Sequence, residues 1–235
     1  MAREQLMVHS DFPMAAQHRL IEELTARRFD LSRRLAVPIS NEPIHIYLFE
    51  NVEAFDRFMG MHHPDFPNRR AFFVETDTRL IVYAHWGDRV AEDLRHEVTH
   101  GYLHSMVPNL PLWLDEGLAE TFEVPRGRSG INRPHLALLT ARLKQGEWQP
   151  DLRRIEQLHA AFDMTQADYA ETWAWVHFLL HSRAEHALLL QHYLADLRGD
   201  GSPPPVSSRL AQMLRDPEAS LVEHVRYLAA NAGGL

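Results

Sequence analysis

Residues 96–100 read His96-Glu97-Val98-Thr99-His100, and this stretch is the most informative part of the chain. Side chains four residues apart lie one above the other on an α-helix, so both imidazoles can reach a single metal ion. Glu97 is offset around the helix, close to that ion without binding it, where it can accept a proton from water. Apolar residues recur at helical spacing and predict the helix itself: Val90, Leu94, Val98 and Leu103. The stretch therefore predicts a helix that supplies two ligands to a zinc ion.

A second segment supplies carboxylates, since residues 113–120 read Trp-Leu-Asp-Glu-Gly-Leu-Ala-Glu. Pro108 and Pro111 end the first helix and leave a short loop. Residues 112–122 are then predicted to form a second helix that folds back on the first. One of its carboxylates can complete the site as the third protein ligand, with an open position left for water.

Glu116 and Glu120 are the two candidates on one face of this second helix, four residues apart. We assign Glu116 to the metal. We expect Glu120 to accept a hydrogen bond from His96, because metal-bound histidines usually donate their other N–H to such a group. Asp115 competes for the ligand role but points off that face. His104 lies about 12 Å from His96 by helical rise alone, too far to share one metal with it easily.

The two segments together resemble the gluzincin group of zinc metallopeptidases, over about residues 88–123. The likeness is closest to small bacterial proteins of the peptidase MA-like group, and thermolysin and the alanyl aminopeptidases are more distant members. The resemblance implies hydrolysis of peptide bonds in a zincin-like fold. It also implies one zinc ion per chain, held by His96, His100 and Glu116, with Glu97 as the general base.

A third segment resembles the helix that follows the metal helices in aminopeptidase-like gluzincins. Residues 168–179 read Asp-Tyr-Ala-Glu-Thr-Trp-Ala-Trp-Val-His-Phe-Leu. In that family a tyrosine near the start of the helix stabilises the oxyanion, and Tyr169 matches this position. The alternative is that Tyr169 is an ordinary core aromatic. His177, eight residues later on the same helical face, is then the alternative donor of a hydrogen bond to the oxyanion.

The predicted fold is α+β and zincin-like: a small N-terminal sheet with helices, the helix of residues 96–100, and an all-helical C-terminal half. We expect one catalytic domain over residues 1–235, with an α/β subdomain at 1–110 and a helical subdomain at 111–235. Strands are predicted at 5–9, 43–50, 71–75 and 79–84, the last two as a hairpin. Other helices are predicted at 15–35, 52–59, 133–144, 165–182, 184–198, 206–214 and 217–231.

The strand before the metal helix bears on substrate binding. Residues 80–84 read Leu-Ile-Val-Tyr-Ala, and they form either a sheet edge that pairs with extended substrate or a fully paired interior strand. The Gly-x-Met-x-Asn strand with which gluzincin aminopeptidases hold a free amine has no counterpart before His96. An aminopeptidase is therefore disfavoured, although amine capture by Glu75 stays open.

Composition limits the classes of protein. A formal net charge of −8 disfavours binding to nucleic acid. The chain has no cysteine, so the metal ligands must be histidine and carboxylate. Without a run of eighteen apolar residues, or an apolar signal core in residues 1–30, we expect a soluble chain with no membrane span. The sequence leaves its compartment open: we expect the cytoplasm, or export if a signal peptide was trimmed.

The leading hypothesis is a zinc metallopeptidase acting on a peptide or protein substrate. Two rivals use the same residues: a zinc-binding but catalytically idle peptide-binding module, and a hydrolase of a non-peptide amide or ester. An intact Glu97 argues against the idle module, because binding alone does not need a base. The sequence leaves open the natural substrate, endo- or exopeptidase mode, and oligomeric state.

Overall fold

The computed structural model describes residues 1–15 and 17–231 and has an α+β fold. The chain divides into two compact units, Met1–Met106 and Val107–Leu235. The first contains a mixed five-stranded sheet, and from Leu112 onward every regular element in the described residues is a helix. The small N-terminal sheet and the helical C-terminal half are thus confirmed. None of the described helices is long and apolar enough to cross a membrane.

In the first unit the sheet has the order β1-β2-β3-β5-β4. Strands β2, β3 and β5 run parallel, whereas β1 and β4 are antiparallel to their neighbours. The strands are β1 (Ala2–Arg3), β2 (Leu6–Ser10), β3 (Ile44–Phe49), β4 (Ala71–Thr76) and β5 (Arg79–His85). The helices are α1 (Arg19–Leu35), α2 (Val52–His62) and α3 (Val90–Met106).

The two faces of this sheet carry different helices. Strand β3 alternates strictly, and its buried residues Ile44, Ile46 and Leu48 form one face of the sheet. Helix α3 packs on that face, and its Gly101 lies so close to Ile44 that an added Cβ would come within 3.0 Å of Cγ2. On the other face, Phe55 of α2 belongs to an aromatic cluster with strands β4 and β5. The sheet thereby positions the helix that carries residues 96–100.

Strand β5 is an interior strand, paired with β3 on one side and β4 on the other. Of the two alternatives left open for residues 80–84, the interior strand is therefore the correct one, and the sheet edge is wrong. The backbone N–H and C=O groups on both sides of β5 already form hydrogen bonds with its neighbouring strands. On this side of the sheet the edge strand is β4, the first strand of the same hairpin.

Local capping explains where two of the helices begin. Helix α1 starts at Arg19, four residues later than predicted, because the ring of His18 accepts a hydrogen bond from the backbone N–H of Leu20. Asn51 caps α2 as predicted, and its side chain accepts from the N–H of Ala54 at 3.0 Å.

The second unit is built around one central helix. Its helices are α4 (Leu112–Phe122), α5 (Arg133–Gln145), α6 (Leu152–Ile155), α7 (Gln166–His181), α8 (Ala184–Asp200), α9 (Val206–Met213) and α10 (Pro217–Asn231). Helix α7 contacts α4, α5, α8 and α10. Four of the five tryptophans of the chain are buried in this unit: Trp113, Trp148, Trp173 and Trp175. The four-residue α6 was not predicted, since it is too short for a helical period to be recognised.

Gly117 allows α4 and α7 to approach closely. A Cβ at this position would lie 2.6 Å from the carbonyl oxygen of Thr172 and 2.7 Å from Cγ2 of Val176. We expect Gly117→Ala to lower the free energy of unfolding by about 1–3 kcal/mol, because the backbone of α7 must move. Gly199→Ala is the matched control, since Gly199 also lies in a helix but has open space around it. It should stabilise by up to about 1 kcal/mol. Urea unfolding measures the stability of both variants. Equal stabilities of Gly117→Ala and Gly199→Ala would contradict the close approach of α4 and α7.

Candidate metal centre

His96 and His100 lie together on α3 in the first unit. Their Nε2 atoms are 3.1 Å apart and their ring centroids 4.8 Å apart. Two nitrogens that bind one zinc ion at about 2.0–2.1 Å, with angles near tetrahedral, lie roughly 3.1–3.4 Å from each other. The imidazole pair therefore has the separation that a shared metal ion requires.

Neighbouring side chains hold this pair and its helix in place. Phe73 of β4 stacks on the His100 ring, with centroids 5.9 Å apart, and meets the His104 ring edge-on at 4.9 Å. His104 Nδ1 lies 2.6 Å from a carboxylate oxygen of Glu75. Glu75, the candidate for amine capture, thus already has a partner on α3. Arg95 of the same helix forms an ion pair with Glu23 of α1 at 2.7 Å.

Helix α4 in the second unit carries the predicted acidic residues. Every residue from Trp113 to Phe122 is buried, including Asp115, Glu116 and Glu120. Buried carboxylates are rare unless they are hydrogen-bonded, paired with a cation or bound to a metal. The described residues include histidine and carboxylate side chains in groups that could hold a metal ion, namely His96, His100, His104, Asp115, Glu116, Glu120 and Glu123.

Glu120 has two partners that the sequence did not reveal. Its Oε2 atom lies 2.7 Å from His135 Nε2 and 3.1 Å from Asn132 Nδ2. Asn132 also caps α5, where its Oδ1 accepts from the backbone N–H of His135. The Asn-Arg-Pro sequence at 132–134 signals the start of a helix. It does not reveal which carboxylate the cap would meet.

Tyr169 and His177, the candidate oxyanion donors, both lie on α7. The Tyr169 hydroxyl donates to the carbonyl oxygen of Ala161 at 3.4 Å. His177 Nε2 lies 3.2 Å from the carbonyl oxygen of Ser129, and its Nδ1 lies 2.9 Å from Nε2 of His224. Because a carbonyl oxygen only accepts, His177 Nε2 carries the hydrogen and Nδ1 accepts from His224 while both rings are neutral. Both ring nitrogens of His177 are therefore occupied within this unit.

The histidine pair predicts a pH dependence of stability. Burial, and then the charge of nearby His186, lower the pKa of His224 from 6.5 to about 4. The neutral ring of His224 is favoured in the folded state. Its contribution to the free energy of unfolding is therefore complete above pH 6.5 and is lost as the pH falls toward 4. We expect His224 to lower the free energy of unfolding by about 2 kcal/mol between pH 7 and pH 5.

Urea unfolding at the two pH values tests this expectation. His224→Gln keeps an N–H donor for His177 and removes the titration, so its loss of stability between pH 7 and pH 5 should be smaller by about 2 kcal/mol. His192→Gln, at an exposed position of α8, is the control and should behave as the native protein does. An unchanged loss in His224→Gln would rule out this assignment.

Another buried carboxylate, Glu171 of α7, has a structural role. It accepts hydrogen bonds from Trp148 Nε1 at 2.9 Å and from the backbone N–H of Asp151 at 2.7 Å. Burial raises its pKa, although these donors and Arg154 oppose the shift. Glu171 thereby ties the segment before α6 to the central helix.

Comparison with protein-family models and with curated proteins finds no match to this chain. The gluzincin resemblance is accordingly carried by the sequence motifs alone. Any conclusion about function depends on the side chains of α3, α4 and α7.

Proposed function

We propose that this protein is a zinc-dependent metallopeptidase of the gluzincin type. The observation that carries the proposal is the 3.1 Å separation between Nε2 of His96 and Nε2 of His100, which suits two ligands of one metal ion. Glu97 follows the first of them, where a general base is needed. Zinc is favoured over a hard cation such as magnesium, because two imidazoles and a carboxylate are a typical zinc ligand set.

Glu116 is the third ligand in this proposal. It is buried at 7% exposure on α4, only sixteen residues after His100. His104 is a weaker candidate because it already contacts Glu75. Asp115 is equally buried but lies about 100° around the helix from Glu116, so one face of α4 cannot present both to the same ion.

The residues of this chain would share the chemistry of amide hydrolysis. A bound zinc ion would supply Lewis-acid polarisation and would lower the pKa of water toward 7. Glu97 would accept one proton from the attacking water and pass it to the amine nitrogen as the C–N bond breaks. Tyr169 would donate a hydrogen bond to the carbonyl oxygen as negative charge develops there. Its hydrogen bond to the carbonyl oxygen of Ala161, at 3.4 Å, is long for an O–H···O hydrogen bond.

A sheet edge supports a peptide as the substrate. Strand β4 pairs with β5 on one side, and within the described residues no strand pairs with its other side. An extended peptide can add to such an edge through main-chain hydrogen bonds. Phe73 of β4 stacks on the His100 ring, so this edge runs beside the proposed metal ligands of the same unit. A small ester would make no use of it.

The direct test is to incubate the zinc-loaded protein with a diverse peptide pool and read the products by mass spectrometry. The Glu97→Gln protein is treated in parallel. Cuts made by the native protein alone would support a peptidase, and internal or terminal cut positions would define its mode. No cuts by a protein that holds one zinc per chain would overturn the proposal in favour of a binding module or a non-peptide hydrolase.

A further inference from the structure

The edge strand β4 carries an exposed carboxylate on the face of the sheet that meets α3. Phe73 and Glu75 are two residues apart, so their side chains leave the strand on the same face. The Phe73 ring stacks on His100, and Glu75 Oε2 lies 2.6 Å from His104 Nδ1. The side chain of Glu75 is 54% exposed. All four residues belong to the first unit, so that unit alone defines the arrangement.

The Glu75 carboxylate is held in place and still has an oxygen that can accept. A carboxylate only accepts, so His104 Nδ1 carries the hydrogen in this contact. Within the part of the chain that the structure describes, the second oxygen, Oε1, has no hydrogen-bond partner. A peptide added to the outer edge of β4 would place one of its side chains directly beside Glu75. Oε1 can therefore accept a hydrogen bond from a cationic side chain of that peptide.

The charges around Glu75 favour a cation from outside the chain. Its neighbour across the hairpin is Leu80, which is neutral, and Arg79 leaves the sheet on the opposite face. Arg70, just before β4, is already paired with Asp93 of α3 at 2.7 Å. The formal net charge of −8 also attracts basic peptides and speeds their association.

We propose that Glu75 is a specificity-determining residue that binds a lysine or arginine side chain of the peptide substrate. This inference rests on the proposed peptidase and adds a substrate preference to it. Phe73 meets the proposed ligand His100, and Glu75 meets His104 one helical turn later. A strand rises about 3.3 Å per residue, so the basic side chain lies about two to four residues from the bond that is cut, always on the same side.

The experiment uses peptides with acetylated N-termini and amidated C-termini, so that a terminal amine cannot supply the cation. Each peptide carries one lysine, glutamine or glutamate, placed at every position in turn. We measure kcat/KM for the zinc-loaded protein, and also binding to Glu97→Gln by fluorescence anisotropy, which requires no cleavage. At one position we expect lysine to be preferred over glutamine by about fivefold, because opposite charges on neighbouring strands attract modestly.

Two substitutions isolate the contribution of the carboxylate. Glu75→Gln keeps an acceptor for His104 and should reduce the preference for lysine to less than about twofold. Glu75→Lys should invert it and favour the glutamate peptide by about fivefold. At about 1 M salt, where the Debye length is about 3 Å, the native preference should shrink. Glu53→Gln removes an exposed carboxylate of α2 and should leave the preference unchanged.

The outcomes separate this inference from the proposed function. Equal binding of the lysine, glutamine and glutamate peptides at every position overturns the role of Glu75, and so does a lysine preference that persists in Glu75→Gln. Each preference compares peptides on one protein sample, so a partly unfolded variant does not distort it. A zinc-loaded protein that shows the expected binding preference but cuts no peptide would overturn the proposed function alone.

Discussion

Replacing Glu97 with glutamine is expected to lower the rate of peptide hydrolysis by about 100-fold or more, with zinc still bound at one per chain. Glutamine has nearly the same shape as glutamate but cannot accept a proton from the attacking water. General bases typically contribute about 10²–10⁴-fold to a rate. Because Glu97 is not assigned to the metal, the zinc dissociation constant should stay near its native value.

A matched control separates this effect from a general disturbance of α3. Glu92→Gln changes an exposed glutamate one turn before the motif, where the native carboxylate pairs with Arg89. It should leave turnover within about twofold of native, since surface ion pairs contribute little. Turnover in Glu97→Gln within about tenfold of native would remove the general-base assignment, and loss of zinc from that variant would identify Glu97 as a ligand instead.

Glu116→Gln is expected to release the zinc ion, whereas Asp115→Asn is expected to keep it. A neutral amide is a poor substitute for a carboxylate ligand, so affinity should fall by more than about 100-fold, beyond the range for outer partners. Zinc per chain is measured after dialysis against a weak chelator. The melting temperature gives a second reading, because a ligand that binds only the folded state stabilises it by mass action.

Asp115 and Glu116 serve as controls for each other, since both carboxylates are buried on α4. His96→Ala should behave as Glu116→Gln does, and His104→Ala should behave as Asp115→Asn does. The reverse pattern, with zinc lost from Asp115→Asn and His104→Ala alone, would move the site to His100, His104 and Asp115.

Features that depend on local spacing could be predicted from the sequence. Three features depend only on residues that are close together in the sequence: the helical stripe around His96, the hairpin of β4 and β5, and the Asn51 cap. Their periodicities and capping residues are visible in the chain itself. The same holds for the bounds of α4, which follow from Pro111 and the apolar spacing.

Features that depend on distant parts of the chain could not be predicted. The order of strands in a sheet is a tertiary property, so the sequence could not show that β5 is an interior strand and β4 an edge strand. Likewise His135, fifteen residues after Glu120, contacts it only because α4 and α5 both pack on α7. Spacing alone gives no reason to connect the two residues.

The burial of the tryptophans has a spectroscopic consequence. Trp113, Trp148, Trp173 and Trp175 all lie in the second unit, and Trp86 is the single tryptophan of the first. Intrinsic fluorescence is therefore dominated by the helical unit, and its red shift on denaturation follows chiefly the loss of that unit. Circular dichroism senses the helices of both units. Coincident fluorescence and dichroism transitions would mean that the two units unfold together, and separate transitions would reveal a partly folded intermediate.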